Sequence, residues 1–69
     1  DEPVRRYKNG STRETIYADT KLTRVIGSLS PWEECDCFGI FNGRPMVRYK
    51  VDGTSNYKIG FAKWTGGVR

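Results

Sequence analysis

The sequence contains no histidine, only two cysteines and no long hydrophobic run. Without histidine, neither a Ser-His nor a Cys-His nucleophile couple can be assembled. No apolar stretch approaches the roughly 18–20 residues that a membrane-spanning helix needs, and no hydrophobic segment of the secretory type is present. A phosphate-binding loop is also missing, because Gly66-Gly67 precedes no predicted helix. We therefore expect no catalytic residue and no membrane partner.

The two cysteines are too sparse to define a metal centre. Cys35 and Cys37 lie two positions apart on a predicted strand, where Cα atoms are separated by about 6.5–7 Å, an uncomfortable distance for a disulfide. A metal site would need more soft ligands than one Cys-x-Cys pair supplies. We expect free thiols that act as small apolar side chains on one face, with no metal and no cofactor.

Aromatic and basic residues are well represented. The 69 residues are 13% aromatic and carry a formal net charge of +4. A domain of this length buries only about 60% of the surface that its unfolded chain exposes, so a single small core is expected. The positive charge suggests an anionic environment, such as nucleic acid, a lipid surface or an anionic polymer.

Hydrophobic residues alternate over short runs, which predicts β-strands and no helix. The predicted strands span residues 15–18, 25–29, 33–41, 44–51 and 56–62. Between the last three, Asn42-Gly43 is typical of a type I′ hairpin, because both central residues need positive φ, and the segment 51–54 is a second predicted turn. Gly39 is expected to bend its strand or form a bulge.

The alternation also predicts which side chains are buried. Cys35 and Cys37 should share one face of their strand, opposite Glu34, Asp36 and Phe38. On the next strand, an apolar face faces the core and a basic face carries Arg48. The predicted core includes Tyr49, Ile59 and Phe61.

A small barrel is the most economical way to cover the edges of so many short strands. The predicted fold class is therefore all-β, a small SH3-like barrel of five to six short antiparallel strands. Residues 1–6 are charged and contain Pro3, which predicts a linker before a domain at 7–69. Because the chain begins with Asp1 and has no starting Met, we expect either a piece of a longer protein or a processed product.

Several short motifs, taken in order, resemble one known family. They are Tyr7-Lys8-Asn9-Gly10-Ser11-Thr12, Ile16-Tyr17-Ala18-Asp19-Thr20, Val25-Ile26-Gly27-Ser28-Leu29, Val47-Arg48-Tyr49 and Tyr57-Lys58-Ile59-Gly60-Phe61. Over residues 7–67 the chain resembles bacterial SH3-type (SH3b) domains, in particular those at the C-terminus of phage endolysins and autolysins. The resemblance implies a module that binds Gram-positive peptidoglycan or its peptide cross-bridges. It also implies a linked catalytic hydrolase domain and action at the bacterial cell wall.

A ligand of this kind presents flat apolar faces beside amides, hydroxyls and carboxylates, so its site should combine exposed rings with a few charges. The candidate rings are Tyr7, Tyr17, Trp32, Phe38, Tyr57 and Trp64. The candidate polar groups are Asp19, Asp36 and Arg48. Trp32 follows Pro31 in a turn and is expected to face solvent, Arg48 could clamp a ligand carboxylate, and Asp19 could instead cap a turn.

Two other functions compete with wall binding. A nucleic-acid-binding barrel would share the positive charge and the interspersed rings, although Glu33, Glu34 and Asp36 would oppose phosphates. An SH3 module for proline-rich ligands is the other alternative, in which the same acidic residues would face the basic end of the ligand. Because single modules bind weakly, we also expect tandem copies or a homo-oligomer, formed through a predicted edge strand at 15–18.

Overall fold

The computed structural model describes residues 5–51 and 53–69, which form six β-strands and one short 3-10 helix. The elements are β1 (Arg5–Lys8), β2 (Glu14–Tyr17), β3 (Val25–Leu29), β4 (Glu34–Phe41), β5 (Arg44–Lys50), β6 (Tyr57–Phe61) and the helix Thr65–Gly67. All paired strands are antiparallel, in the order β1-β4-β5-β6-β2-β3. The predicted all-β class of short antiparallel strands is confirmed. Within the described ranges, no helix is long and apolar enough to cross a membrane.

One hydrophobic core lies inside the curled sheet. Its buried members are Tyr7, Ile16, Leu29, Cys35, Cys37, Val47, Tyr49 and Ala62. Tyr7 and Leu29 come from the two outermost strands of the sheet, yet both belong to this single cluster. The sheet must therefore curl until its edges approach each other, which produces a small β-barrel-like fold with extents of 30 × 27 × 25 Å.

The meander β4-β5-β6 follows the predicted turn chemistry. Asn42 and Gly43 have φ values of 52° and 77°, as a type I′ turn requires. Gly39 has φ 137° and lies at a register shift in the β4–β5 ladder, which confirms the predicted bulge. In the second turn, the Thr54 amide donates to the Val51 carbonyl over 3.1 Å, whereas Asp52 lies outside the described residues.

The faces of β4 and β5 are as predicted, but those of β6 are reversed. Tyr49 is buried, whereas Ile59 is 54% exposed, so the prediction of Ile59 as a core residue is wrong. Phe61 is half-buried, and Gly60 points inward instead. A Cβ at Gly60 would lie 2.5 Å from Cγ2 of Ile16. Because β6 approaches β2 this closely, only small residues fit on its inner side.

The first β-strand begins earlier in the chain than predicted, at Arg5. Arg5 and Arg6 pair with Cys37 and Asp36 in β1 rather than forming a linker, while residues 1–4 of the predicted linker lie outside the described residues. The predicted edge strand at 15–18 is also wrong, because β2 lies between β6 and β3. The outermost strands are β1 and β3.

The C-terminal segment returns to β1. Val68 forms a bridge with Tyr7, and the Arg69 amide donates to the Arg6 carbonyl over 2.8 Å. A Cβ at Gly67 would lie 2.5 Å from the Lys8 carbonyl oxygen, so the two segments are in close contact. This return brings residues 63–64 beside the loop that follows β1.

Candidate functional site

A surface groove of about 570 Å³ lies between the loop after β1 and the end of the chain. Its lining residues are Asn9, Gly10, Ser11, Thr12, Arg13, Glu14, Thr15, Tyr17, Trp32, Lys63 and Trp64. Three predicted site residues meet here: Tyr17, Trp32 and Trp64. Trp32 is 61% exposed and Trp64 is 47% exposed, so the groove presents two indole rings to solvent.

Asn9 fixes the loop that forms one wall of this groove. Its side chain is 3% exposed, and Nδ2 donates to the carbonyls of Thr12 (2.8 Å), Leu29 (3.3 Å) and Ser30 (2.9 Å). Its backbone amide donates to the Glu33 carbonyl over 2.8 Å. One buried side-chain amide thus joins three backbone carbonyls from two segments of the chain. The sequence analysis did not identify Asn9 as a site residue.

Trp32 is held outward by its backbone conformation. Its φ of 63° lies in the left-handed region, which is uncommon for a bulky residue and carries a cost of order 1–3 kcal/mol. The Trp32 amide donates to the Gly10 carbonyl over 2.9 Å. Next to it, the Glu33 carboxylate accepts the Ser30 amide over 2.8 Å. These bonds stabilise the turn that keeps the ring exposed, as the sequence predicted for Trp32.

Trp64 packs against two glycines. A Cβ on Gly66 would lie 2.6 Å from Cε2 and Nε1 of the indole, and one on Gly10 would lie 3.5 Å from Cζ3. Gly66 therefore cannot carry a side chain unless the ring moves. Because Gly10 also accepts the Trp32 amide, this one residue connects the two exposed tryptophans.

Glu14 ties Trp64 to the body of the domain. One carboxylate oxygen accepts the Tyr7 hydroxyl, and the other accepts the backbone amides of Lys63 (3.2 Å) and Trp64 (3.0 Å). Burial, together with the Glu14 bond, raises the pKa of Tyr7 well above its usual value, so the phenol remains a donor. Tyr7 is fully buried, and its prediction as a ligand-facing ring is wrong. Glu14 was not predicted.

A second group of predicted site residues lies on the outer face of the sheet, away from the groove. The Asp36 carboxylate accepts Arg6 and Arg48, each over 2.5 Å. The hydrogen bonds from Arg48 and then Arg6 hold the pKa of Asp36 below its usual value. The Arg48 guanidinium also lies 5.8 Å from the Phe38 ring centre and 5.9 Å from that of Tyr57. The predicted ligand clamp at Arg48 is thus already bound to Asp36.

Asp19 belongs to neither group. Its carboxylate accepts the Thr23 hydroxyl and, over 2.9 Å, the Thr23 amide, while its carbonyl accepts the Leu22 amide over 3.3 Å. The Thr23 hydroxyl bond is the main reason that the pKa of Asp19 is lowered. Asp19 therefore caps its own turn, as the alternative prediction for this residue stated.

The cysteines are part of the core. Both are free thiols and buried, and burial raises the pKa of Cys35 to about 12, so this thiol is neutral at physiological pH. In the part of the chain that the structure describes, no three His, Cys, Asp or Glu side chains are placed to hold a metal ion.

Comparison with known proteins identifies no relative of this chain. No family model matches the chain, and neither a curated protein nor a solved structure shows a significant match.

Proposed function

We propose that this chain is a non-catalytic targeting module that binds Gram-positive peptidoglycan or its peptide cross-bridges and anchors a linked peptidoglycan hydrolase at the cell wall. The observation that carries the proposal is the groove in which Trp32 and Trp64 expose their indole rings beside polar side chains. Sugars and peptide backbones both present flat faces that stack on such rings and polar groups that hydrogen-bond beside them.

The polar lining of the groove suits this ligand class. Ser11 and Thr12 contribute hydroxyls, and Arg13 and Lys63 contribute positive charge. A peptide that carries carbonyl and carboxylate oxygens would find donors on both sides of the rings. Mixed aromatic and polar lining of this kind favours a neutral or weakly anionic ligand over a purely apolar one.

The groove is also arranged to hold a ligand rather than to cleave one. Among the described residues, Glu14 is the only carboxylate that lines the groove, and both of its oxygens already accept hydrogen bonds, from Tyr7, Lys63 and Trp64. A general acid or base must reach the proton that it transfers, and this carboxylate is committed to positioning Trp64. Because hydrogen bonds already hold the backbone of Trp32 and Trp64, less conformational entropy is lost when a ligand arrives.

The test is a pull-down with purified sacculi. A fluorescent fusion of residues 1–69 is mixed with sacculi from several Gram-positive species, with and without teichoic acid. We expect co-sedimentation that survives removal of teichoic acid and depends little on salt. Trp32→Ala should weaken binding at least tenfold, because loss of a buried aromatic anchor costs about 2 kcal/mol or more.

The matched control is Phe41→Ala, which removes another ring of similar exposure that lies outside the groove, and it should bind normally. Failure to bind any sacculus would contradict the proposal. So would retardation of RNA with an affinity that falls steeply as salt rises, which is the behaviour of a phosphate-binding protein. Tandem copies or oligomers of the module would raise the apparent affinity through effective concentration.

A further inference from the structure

A second cavity, of about 280 Å³, lies on the outer face of the sheet and shares no lining residue with the groove. Strands β1, β4, β5 and the first residue of β6 contribute its walls. The lining side chains that matter here are Arg6, Glu34, Asp36, Arg48, Lys50 and Tyr57. Five of the six are charged side chains, and none of them lines the groove.

The inner part of this cavity carries an excess of positive charge. Arg6, Asp36 and Arg48 lie directly opposite one another on three neighbouring strands. Two guanidinium groups share the single carboxylate of Asp36, each through one 2.5 Å bond. A guanidinium has five N–H donors, so each arginine keeps donors for another anion. Contacts with the Phe38 and Tyr57 rings limit the movement of the Arg48 group.

The other charged lining residues are Lys50 and two acids, Glu34 and Glu33, of which Glu33 already accepts the Ser30 amide. Glu34 on β4 and Lys50 on β5 are both exposed, and among the described residues neither makes an ion pair within 4.0 Å. Adjacent strands lie about 5 Å apart, so the negative wall and the positive wall face the same small volume. The Tyr57 ring, 63% exposed, lies directly opposite Lys50 on the neighbouring strand.

From this layout we infer that the cavity is a second binding site, for a short zwitterionic peptide that carries a free primary amine and a free carboxylate. The carboxylate binds Arg48 and Lys50, the amine binds Glu34, and the chain between them lies along the Tyr57 ring. The source of such a peptide rests on the proposed function, because uncross-linked wall peptides carry both groups. The charge arrangement of the cavity does not depend on it.

The first test is an NMR titration of the isotopically labelled 69-residue chain with three peptides. The reference is N-acetyl-Ala-isoglutamine-Lys-Ala, which has one lysine amine and one terminal carboxylate. In the second peptide the amine is acetylated, and in the third the carboxylate is amidated. We expect the reference to shift the amide signals of Glu34, Lys50 and Tyr57. Each masked peptide should bind about tenfold more weakly, as loss of one charged hydrogen bond implies.

Variants of Glu34 and Lys50 test which residue contacts the amine and which contacts the carboxylate. Glu34→Gln should weaken the reference peptide about tenfold and leave the acetylated peptide unaffected, because the lost partner is already absent. Lys50→Gln should weaken the reference peptide in the same way but leave the amidated peptide unaffected. Lys58→Gln is the matched control, since it removes the same charge outside the cavity and should change nothing.

Three results would overturn the second site. The three peptides could bind equally well, a variant could weaken the masked peptide as much as the reference peptide, or the shifted signals could all belong to groove residues. The sacculus pull-down distinguishes this failure from failure of the proposed function. If wild-type chain binds sacculi and the peptide titration fails, only the second site is wrong. If the titration succeeds and no sacculus is bound, the second site stands and the proposed function is wrong.

Discussion

The groove and the outer-face cavity are built in different ways. In the groove, exposed rings are positioned by partly or fully buried anchors, namely Asn9 and Glu14, which hydrogen-bond to backbone groups. In the cavity, exposed charges are positioned mainly by one another, through the bonds from Arg6 and Arg48 to Asp36. Added salt should therefore disturb the cavity more than the groove.

The largest effect is expected for Asn9→Ala, which removes the anchor of the groove loop. Three carbonyls lose a donor, and an unsatisfied buried polar group costs about 1–3 kcal/mol. We expect the free energy of unfolding to fall by about 3 kcal/mol, measured by urea denaturation with tryptophan fluorescence. Asn56→Ala removes an exposed amide and should change stability by less than about 0.5 kcal/mol. Equal effects of the two variants would refute the anchoring role.

The next effect concerns the link between Glu14 and Trp64. Glu14→Ala removes the acceptor of two backbone amides and of the Tyr7 hydroxyl. It should lower the free energy of unfolding by about 2 kcal/mol and weaken sacculus binding. Glu14→Gln keeps one oxygen for the amides and offers a donor to Tyr7, so it should recover most of both. If Glu14→Ala binds sacculi like the wild type, Trp64 does not need this support.

The smallest effect concerns the ion pairs of Asp36. Since Arg48 and Arg6 lower its pKa, these pairs stabilise the fold above the unfolded-state pKa of about 3.9. The stabilisation is lost as the pH falls through the lower folded-state value. We expect wild type to be slightly more stable than Asp36→Asn at neutral pH and low salt. That difference should vanish in acid and shrink in about 1 M NaCl. A difference that persists under both conditions would show a role other than ion pairing.

Much of the fold could be predicted from local sequence signals. Asn42-Gly43 and Gly39 determined the hairpin and the bulge through their backbone conformations, which are properties of those residues alone. The inward and outward faces of β4 and β5 followed from alternation, because their neighbours accommodate large side chains on the core side. These features depend on contacts close in sequence or on residue type.

The parts that sequence reasoning missed depend on distant contacts. In β6 the period was right but the orientation was reversed, because Ile16 leaves no room beside Gly60. β1 was missed because, of its four residues, only Tyr7 is buried. Of the predicted site, Tyr17, Trp32 and Trp64 do meet in the groove. The roles of Asn9 and Glu14 could not be predicted, since their partners lie up to 50 positions away in the chain.

The most direct test of the central claim compares sacculus affinity for two double variants. One is Trp32→Ala with Trp64→Ala in the groove, and the other is Arg6→Gln with Arg48→Gln on the outer face. Thermal unfolding first establishes that both remain folded. The account predicts at least a hundredfold loss for the groove variant, as two aromatic anchors of about 2 kcal/mol each imply, and a loss of about tenfold or less for the outer-face variant. A folded groove variant that binds sacculi as tightly as the wild type would contradict it.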